Sequence, residues 1–195
     1  GQPSGRILLD RFKVGGGTLY DLEYLVDETG RRVAAFGYWA GYAGAAVSLR
    51  CWIAQQNDTI AGPVSVFKSA EALLADLKEN LSSLPKSQLN ALIIGALGRV
   101  GTGASDLLTA LDIPVTKWDM AETAHGGPFP EILDHTIFVN CILANEGVPI
   151  FVPKSCLTAP RKLSVIADVS CDPSSAYNPI PIYDQSTSFT NPVFR

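Results

Sequence analysis

One stretch constrains the fold of this chain more than any other. Residues 89–94 are an apolar run of strand composition, residues 95–103 are rich in glycine, and residues 104–111 have helical spacing. Strand, glycine turn and helix form the setting of the G-x-G-x-x-G fingerprint, which residues 96–101 fit with Ala96 in its first place. The stretch predicts a βα unit of a parallel sheet with a dinucleotide phosphate site at the turn.

The chemistry around the turn suits a dinucleotide. Gly98 allows the backbone to approach a pyrophosphate, and Arg99 can neutralise its charge. Asp119 ends a predicted strand, residues 115–119, about 20 residues after the glycines, where the fingerprint places the acid that binds ribose. Two alternatives stay open from the residues alone: a strand–helix connection without a ligand, and a surface position for Arg99.

Composition and charge argue against several classes of partner. The 195 residues are 47% hydrophobic, which allows a sizeable core, and they suit one domain or one domain with part of another. A net charge of −4 and a pI near 5.1 argue against nucleic acid and anionic membranes as partners. No apolar run reaches the roughly 20 residues that a membrane span requires.

The cysteines give no sign of a metal site. They lack the spacing of metal ligands, and we expect no metal. Scattered cysteines in a chain of this size are typical of cytoplasmic thiols, and a disulfide stays open as the alternative. The four cysteines are Cys51, Cys141, Cys156 and Cys171.

The first part of the chain predicts a separate unit. Residues 7–12 have the pattern of a helix end, and residues 19–26 and 31–36 alternate as two strands of a hairpin. A hairpin is not part of a βαβ unit. We therefore assign residues 1–35 to the end of a neighbouring domain and its hinge. Residues 36–195 form the dinucleotide-binding domain, which lacks the closing element of such a sheet.

Two helices are predicted before the glycine turn. Small and aromatic residues in the range 36–56 predict a buried helix that joins the two domains, and Ser69 can cap a helix over residues 70–79. Glycine costs about 1 kcal/mol relative to alanine in a helix, so glycines here indicate close packing against another backbone or a hinge. The glycines in or near the first helix are Gly37, Gly41, Gly44 and Gly62.

Beyond Asp119 the α/β pattern continues. A helical turn begins near residue 131, residues 135–142 and 162–169 are predicted strands, and residues 178–183 include a strand-like piece. Short apolar strands separated by crossovers predict a parallel sheet with helices on both faces. Ligands of such sheets bind at the carboxyl ends of the strands. The predicted strand ends are residues 95–98, 119, 141–143 and 169–172.

An arginine pair is a candidate anion site outside the sheet. Arg31 and Arg32 are planar donors suited to carboxylate or phosphate groups. Adjacent residues of a strand face opposite ways, so we expect the two side chains to serve different ligands. A solvated pair on a hairpin is the alternative.

Other polar residues have competing interpretations. His135 begins a predicted strand and is expected to be structural, whereas His125 lies in a loop where it could act as a base. Asp172 follows the last predicted strand, and the residues alone favour equally a ligand contact and a turn or cap.

With these segments in place, the chain resembles the fungal NAD-dependent, lysine-forming saccharopine dehydrogenases. These enzymes are relatives of alanine dehydrogenase and the nucleotide domain of transhydrogenase. The matching stretches occur in order along nearly the whole chain and are specific as a set. They are residues 17–23, 30–37, 93–99, 117–119, 126–129, 139–142, 168–170 and 178–183.

The resemblance implies a substrate domain with a catalytic lysine and histidine, which would precede Gly1, and a Rossmann-type domain that binds NAD. The chain would then be an internal fragment, inactive by itself. The residues implied to contact NAD are Arg31, Gly98, Arg99, Asp119, Thr123, Leu143 and Val169. Those implied to contact the substrate are Arg32, Phe36, Ser170, Cys171 and Asp172.

The implied activity is the NAD-dependent conversion of saccharopine to lysine and 2-oxoglutarate, the last step of the aminoadipate route of lysine biosynthesis. The implied partners are these small molecules, with no nucleic acid and no membrane. The intact protein is expected to be a monomer in the cytoplasm, and a peroxisomal location stays open. Two alternatives remain: another amino-acid dehydrogenase of the alanine dehydrogenase type, and a non-catalytic NAD-binding module.

Overall fold

The structure, a computed structural model, describes residues 5–170 and 172–194. Its contacts divide the chain into two compact units, Gly1–Phe36 and Gly37–Arg195. The parallel sheet and all α-helices but the first belong to the second unit. Within the two described ranges, no helix is long and apolar enough to cross a membrane.

The first unit is a helix followed by an irregular segment. Helix α1 spans Gly5–Gly15 and ends at Gly16, whose φ of +66° is the left-handed conformation that commonly ends helices. Leu22–Tyr24 form a 3₁₀ helix. Val26 and Arg32 then form an isolated antiparallel bridge.

The predicted hairpin is reduced to this one bridge without regular strands, because local hydrogen bonds replace most of its ladder. The Asp27 carboxylate accepts from the amides of Thr29 and Arg31, each at 2.9 Å, and closes a tight turn. Before that turn, the Leu25 amide donates to the Leu22 carbonyl at 3.3 Å. The chain therefore forms a 3₁₀ turn at residues 22–25, where the predicted strand would have to stay extended.

Four short strands form the sheet of the second unit. They are β1 (Ala91–Ile94), β2 (Val115–Trp118), β3 (Ile137–Asn140) and β4 (Val165–Asp168). The strand order is β2-β1-β3-β4, and every neighbouring pair is parallel. Each strand lies inside a predicted one. The prediction of an α/β fold with a parallel sheet flanked by helices is confirmed.

Three helices cover one face of this sheet. They are α2 (Gly37–Gln56), α3 (Ala70–Leu81) and α4 (Arg99–Ala110). The Ser69 side chain accepts from the Ala72 amide at 3.2 Å, which confirms the predicted cap of α3. The apolar core on this face includes Leu49, Trp52, Leu77, Ile93, Leu107 and Val139.

The other face is covered mainly by 3₁₀ turns and irregular segments. The predicted helical turn near residue 131 is a 3₁₀ helix, Pro130–Asp134. The strand-like piece predicted at residues 178–183 forms no strand, because two prolines remove amide donors from it. The Pro179 carbonyl instead accepts from the amides of Phe151 and Val152, at 2.8 and 3.2 Å. The core on this face includes Leu92, Ile94, Phe129, Phe138 and Ile180.

The glycines of α2 allow its backbone to touch that of α4. A Cβ atom on Gly41 would lie 1.8 Å from the Val100 carbonyl oxygen, and one on Gly103 would lie 1.9 Å from the Tyr38 carbonyl oxygen. The predicted close packing against another backbone is confirmed for Gly41. The helix predicted to join two domains packs within the second unit, on α4 and on the sheet.

Candidate functional site

The strand order reverses direction at β1, next to the carboxyl edge of the sheet. From β1 the chain crosses to β2 on one side and then to β3 on the other. Ligands of open parallel sheets bind where the order reverses in this way. The loops that flank this point begin at Gly95 and Cys141. They touch, since a Cβ on Gly95 would lie 2.9 Å from Ile142 Cγ2 and 3.0 Å from the Cys141 carbonyl carbon.

The glycine turn is bent at Gly95 and leads directly into α4. Gly95 has a φ of +82°, which residues with side chains rarely adopt, and its carbonyl accepts from the Gly98 amide at 3.2 Å. A Cβ on Gly101 would lie 2.2 Å from the Gly95 carbonyl oxygen, so the first turn of α4 rests on the glycine turn. The first amides of an α-helix have no partners inside the helix, so the start of α4 next to this turn is suited to an anion.

Asp119 is hydrogen-bonded to the glycine turn itself. Its Oδ2 accepts from the Leu97 amide at 2.9 Å, and its Oδ1 accepts from the Met120 amide at 3.0 Å. The Asp119 amide donates to Glu122 Oε2 at 2.7 Å, which completes a capping box at the start of the short helix α5 (Met120–Thr123). The half-buried carboxylate is thereby fixed beside the turn, where a ribose-binding acid is expected.

The predicted cofactor contacts of the second unit fall into two groups. Gly98, Arg99, Asp119 and Thr123 lie around the glycine turn, and the Thr123 hydroxyl donates to the Asp119 carbonyl at 2.9 Å. Leu143 and Val169 lie along the same edge of the sheet, after β3 and β4. Leu143 is 78% exposed. The half-buried Val169 donates its amide to the carbonyl of the last β3 residue at 3.1 Å.

The predicted substrate contacts of the second unit follow β4. The Ser170 hydroxyl donates to the Ile142 carbonyl, so it connects the segments after β3 and β4. The Asp172 carboxylate accepts from the Ser174 hydroxyl at 3.0 Å, which gives it the turn role that was one of its two interpretations. Cys171 lies outside the described residues.

Arg31, Arg32 and Phe36 belong to the first unit. The Arg31 carbonyl accepts from the Asp27 amide at 2.8 Å, and Arg32 forms the isolated bridge with Val26. Both arginine side chains are exposed, as is Phe36. There is no regular strand at these described residues, and the expectation that the two arginines serve different ligands stays a prediction.

The two histidines differ in their surroundings. His135 is held on both ring nitrogens, with Nε2 2.8 Å from Thr116 Oγ1 and Nδ1 2.8 Å from the Glu131 carbonyl oxygen. The predicted structural role of His135 is confirmed. The ring of His125 packs edge-on against Phe129, with a centroid distance of 5.4 Å.

The described thiols are not activated. Cys51, Cys141 and Cys156 are free. Burial, with a smaller contribution from the nearby Asp168, raises the pKa of Cys141 to about 12. Cys141 is therefore protonated at neutral pH. Within residues 5–170 and 172–194, no group of three or more His, Cys, Asp or Glu side chains could hold a metal ion.

A polar network at the strand ends was missed by the sequence analysis. The Asn140 side chain, fully buried at the end of β3, donates from Nδ2 to Asp168 Oδ1 at 2.9 Å. The Tyr183 hydroxyl donates to Asp168 Oδ2. The one sign of this network in the sequence was Asn140, a residue with an amide side chain at the end of an otherwise apolar strand.

Comparison with known proteins identifies the relatives of the chain. No protein-family model matches the sequence. Curated proteins named saccharopine dehydrogenase [NAD(+), L-lysine-forming] do match. The one from Neurospora crassa is 48% identical over 198 residues, which cover 95% of this chain and 52% of that protein. The Yarrowia lipolytica protein is 45% identical over 95% of the chain and 53% of its own length.

A third relative matches the full length of this chain. The Candida glabrata protein of the same name is 44% identical over 100% of this chain and 55% of its own length. The chain thus spans about half the length of the curated relatives it matches. Identity of 44–48% over at least 95% of its residues makes this chain similar, along nearly its whole length, to the NAD⁺-dependent, L-lysine-forming saccharopine dehydrogenases.

Proposed function

We propose that the protein carrying this chain oxidises saccharopine with NAD⁺ and water to give lysine, 2-oxoglutarate, NADH and a proton. We further propose that residues 36–195 form its NAD-binding domain and that residues 1–35 belong to the substrate domain and its hinge. The relatives that match the chain are named for this reaction.

The observation that carries the proposal is the hydrogen bond between Asp119 and the glycine turn. One carboxylate oxygen of Asp119 accepts this hydrogen bond from the Leu97 amide at 2.9 Å. Each carboxylate oxygen can accept a second hydrogen bond, so this position suits the two hydroxyls of an adenosine ribose. Negative charge there disfavours a 2′-phosphate.

The residues around the turn fit a dinucleotide. Apart from its chain neighbours, the described atom within 4 Å of a Cβ built on Gly98 is the Gly95 carbonyl oxygen at 3.4 Å, so Gly98 leaves room for a ligand. In the proposed complex, pyrophosphate would lie against Gly98, with the exposed Arg99 as its counter-charge. Thr123, Leu143 and Val169 would complete the contacts to NAD, and Arg31 is assigned to NAD through the family resemblance.

Substrate contacts are proposed for Arg32, Phe36, Ser170, Cys171 and Asp172. Saccharopine carries three carboxylates, and the planar guanidinium of Arg32 can bind one of them through two hydrogen bonds. When bound, NAD⁺ accepts the hydride from the substrate carbon, after which water releases lysine. The acid–base residues of this reaction are expected outside residues 1–195. The protein is proposed to act as a monomer in the cytoplasm, with the peroxisome as the alternative location.

The test is an assay of the purified protein that carries this chain, with saccharopine and NAD⁺ as substrates. We expect NADH, lysine and 2-oxoglutarate to form in equal amounts. Formation of pyruvate and ammonia from alanine, with no turnover of saccharopine, would instead identify an alanine-type dehydrogenase. NAD binding without turnover of either amino acid would identify a binding module.

A further inference from the structure

We propose that Asn140, Asp168 and Tyr183 form a positioning network that holds the segments after β3 and β4 in the arrangement the NAD site requires. The inference rests on the proposed function, since it concerns the same edge of the sheet. It assigns a role to three residues that are not among the proposed cofactor or substrate contacts. Tyr183 and Asp168 act through the loops they hold.

The network begins with two paired strand ends. Asn140 and Asp168 are register partners in the parallel sheet, so their side chains lie on the same face. The Asn140 amide donates to Asp168 Oδ1 at 2.9 Å from a fully buried position. A buried amide that lost this acceptor would face the cost of an unpaired polar group, so the pair disfavours any other arrangement of the two ends.

The third member comes from a distant part of the chain. Tyr183 lies in the segment after the Pro179 contacts, and its hydroxyl donates to Asp168 Oδ2. The two oxygens of one carboxylate therefore join the end of β3 to this later segment. Nearby residues anchor that segment, since Ile180 is fully buried and packs in the core of the same sheet face.

The loops that follow the two strands also hold each other. The Val169 amide donates to the Asn140 carbonyl at 3.1 Å, and the Ser170 hydroxyl donates to the Ile142 carbonyl. Val169, Ser170 and the neighbouring Leu143 are proposed ligand contacts. Because the network lies directly beneath these residues, it sets how often the two segments adopt the arrangement that accepts the ligand.

This role predicts a specific kinetic pattern. If only a fraction of molecules is competent to bind, the apparent dissociation constant rises by the inverse of that fraction, while saturating ligand restores the competent state. Loss of the Tyr183 hydroxyl should therefore raise the KM for NAD⁺ and leave kcat nearly unchanged. A residue that merely stabilised the fold would lower the amount of active protein, which reduces apparent kcat and leaves KM as it was.

The experiment compares Tyr183→Phe with the unaltered protein that carries this chain. We expect the KM for NAD⁺ to rise about 5- to 10-fold with kcat within about twofold, as expected if the competent fraction falls to a tenth or a fifth. Tyr177→Phe is the matched control, because Tyr177 precedes Tyr183 in the same segment and is 43% exposed. It should leave both constants unchanged.

Amide hydrogen exchange gives a readout that does not depend on turnover. In Tyr183→Phe, the segments 141–146 and 169–174 should exchange faster, while exchange in β1 stays as in the unaltered protein. Asp168→Asn keeps an oxygen for the Asn140 amide and offers its own amide to the Tyr183 oxygen. This conservative change should therefore give a smaller rise in KM than Asp168→Leu.

The outcomes separate the network from the proposed function. An unchanged KM for NAD⁺ and unchanged exchange in Tyr183→Phe would overturn the network while leaving the function intact. A fall in kcat with unchanged KM would also overturn it, by assigning Tyr183 to stability alone. If the unaltered protein bound no NAD⁺ at all, the proposed function would fail, and the network's positioning role with it.

Discussion

At the scale of single residues, Asp119 has the clearest predicted effect. In the NAD complex its carboxylate would accept hydrogen bonds from ribose hydroxyls, and hydrogen bonds to charged groups contribute about 1.5–3 kcal/mol. We expect Asp119→Ala to weaken NAD⁺ binding roughly 10- to 100-fold. Titration with NAD⁺ and with NADP⁺ measures this effect, and the unaltered protein should strongly prefer NAD⁺.

Glu79→Ala is the control for the loss of one negative charge, because Glu79 is an exposed residue of α3 away from the glycine turn. Its NAD⁺ affinity should match that of the unaltered protein. Equal affinity of the unaltered protein for NADP⁺ and NAD⁺ would show that Asp119 does not select the cofactor.

Arg32 supports a prediction about the substrate. Arg32→Lys keeps the positive charge but loses the planar pair of donors, so the KM for saccharopine should rise about 10-fold. Arg11→Lys makes the same exchange at an exposed position of α1 and should have no effect. Steady-state kinetics measures both. A normal KM in Arg32→Ala would exclude this role.

Cys141 supports a prediction about chemical reactivity. Burial raises its pKa to about 12, and the thiolate is the reactive form of cysteine. Iodoacetamide at pH 8 should therefore modify Cys141 of the native protein more slowly than Cys156, which is less buried. Peptide mass spectrometry follows each site separately. Denaturant should remove the difference, and rapid native labelling of Cys141 would contradict the raised pKa.

At the scale of secondary-structure elements, the contact between α2 and α4 predicts a large loss of stability on one small substitution. A Cβ on Gly103 would lie 1.9 Å from the Tyr38 carbonyl oxygen, so one helix must move. We expect Gly103→Ala to lower the free energy of unfolding by about 3 kcal/mol, the upper part of the usual range for overpacking.

Gly62→Ala is the matched control, because a Cβ on Gly62 would have no atom within 4 Å. Its free energy of unfolding should change by less than about 0.5 kcal/mol or increase slightly. Urea unfolding of both variants makes the comparison. Equal stabilities would mean that the two helices separate without cost.

Elements with a local physical signal were predictable from the sequence. Apolar runs predicted all four strands, and Ser69 predicted the start of α3. A buried strand and a capping side chain can both be recognised from a few consecutive residues. The hairpin and the strand-like piece at residues 178–183 were not predictable in this way. Alternating apolar residues suggest a strand, but the side chain of Asp27 and the missing amide of Pro179 decide where hydrogen bonds form.

The candidate site likewise has features that leave a local signal in the sequence and features that do not. The glycines and Asp119 were identified because the fingerprint is local and its spacing is fixed. The bond from the Leu97 amide to Asp119, and the network that joins Asn140 to Tyr183, connect residues far apart in sequence. Only the packing of the parallel strands brings such partners together, so spacing along the chain carries no sign of them.

At the scale of the whole molecule, the two units should differ in local stability. Helix α1 has no buried residue among those described, and the segment after it has a single isolated bridge. β1 and β3 are fully buried. Amides of residues 5–36 should therefore exchange with solvent hydrogen at least 100-fold faster than those of the two central strands. Comparable protection would require burial of the first unit by contacts outside itself.

The hydrogen bond between Asp119 and the glycine turn has a consequence for the evolution of cofactor choice. The carboxylate suited to a ribose also holds the Leu97 amide and begins α5. A lineage that lost this acid to accept a phosphorylated cofactor would loosen the turn on which the proposed cofactor site is built. An amide side chain keeps only one of the two carboxylate oxygens, and the Leu97 and Met120 amides each donate to a different one. A change of preference must therefore follow, not precede, the arrival of another acceptor for the turn.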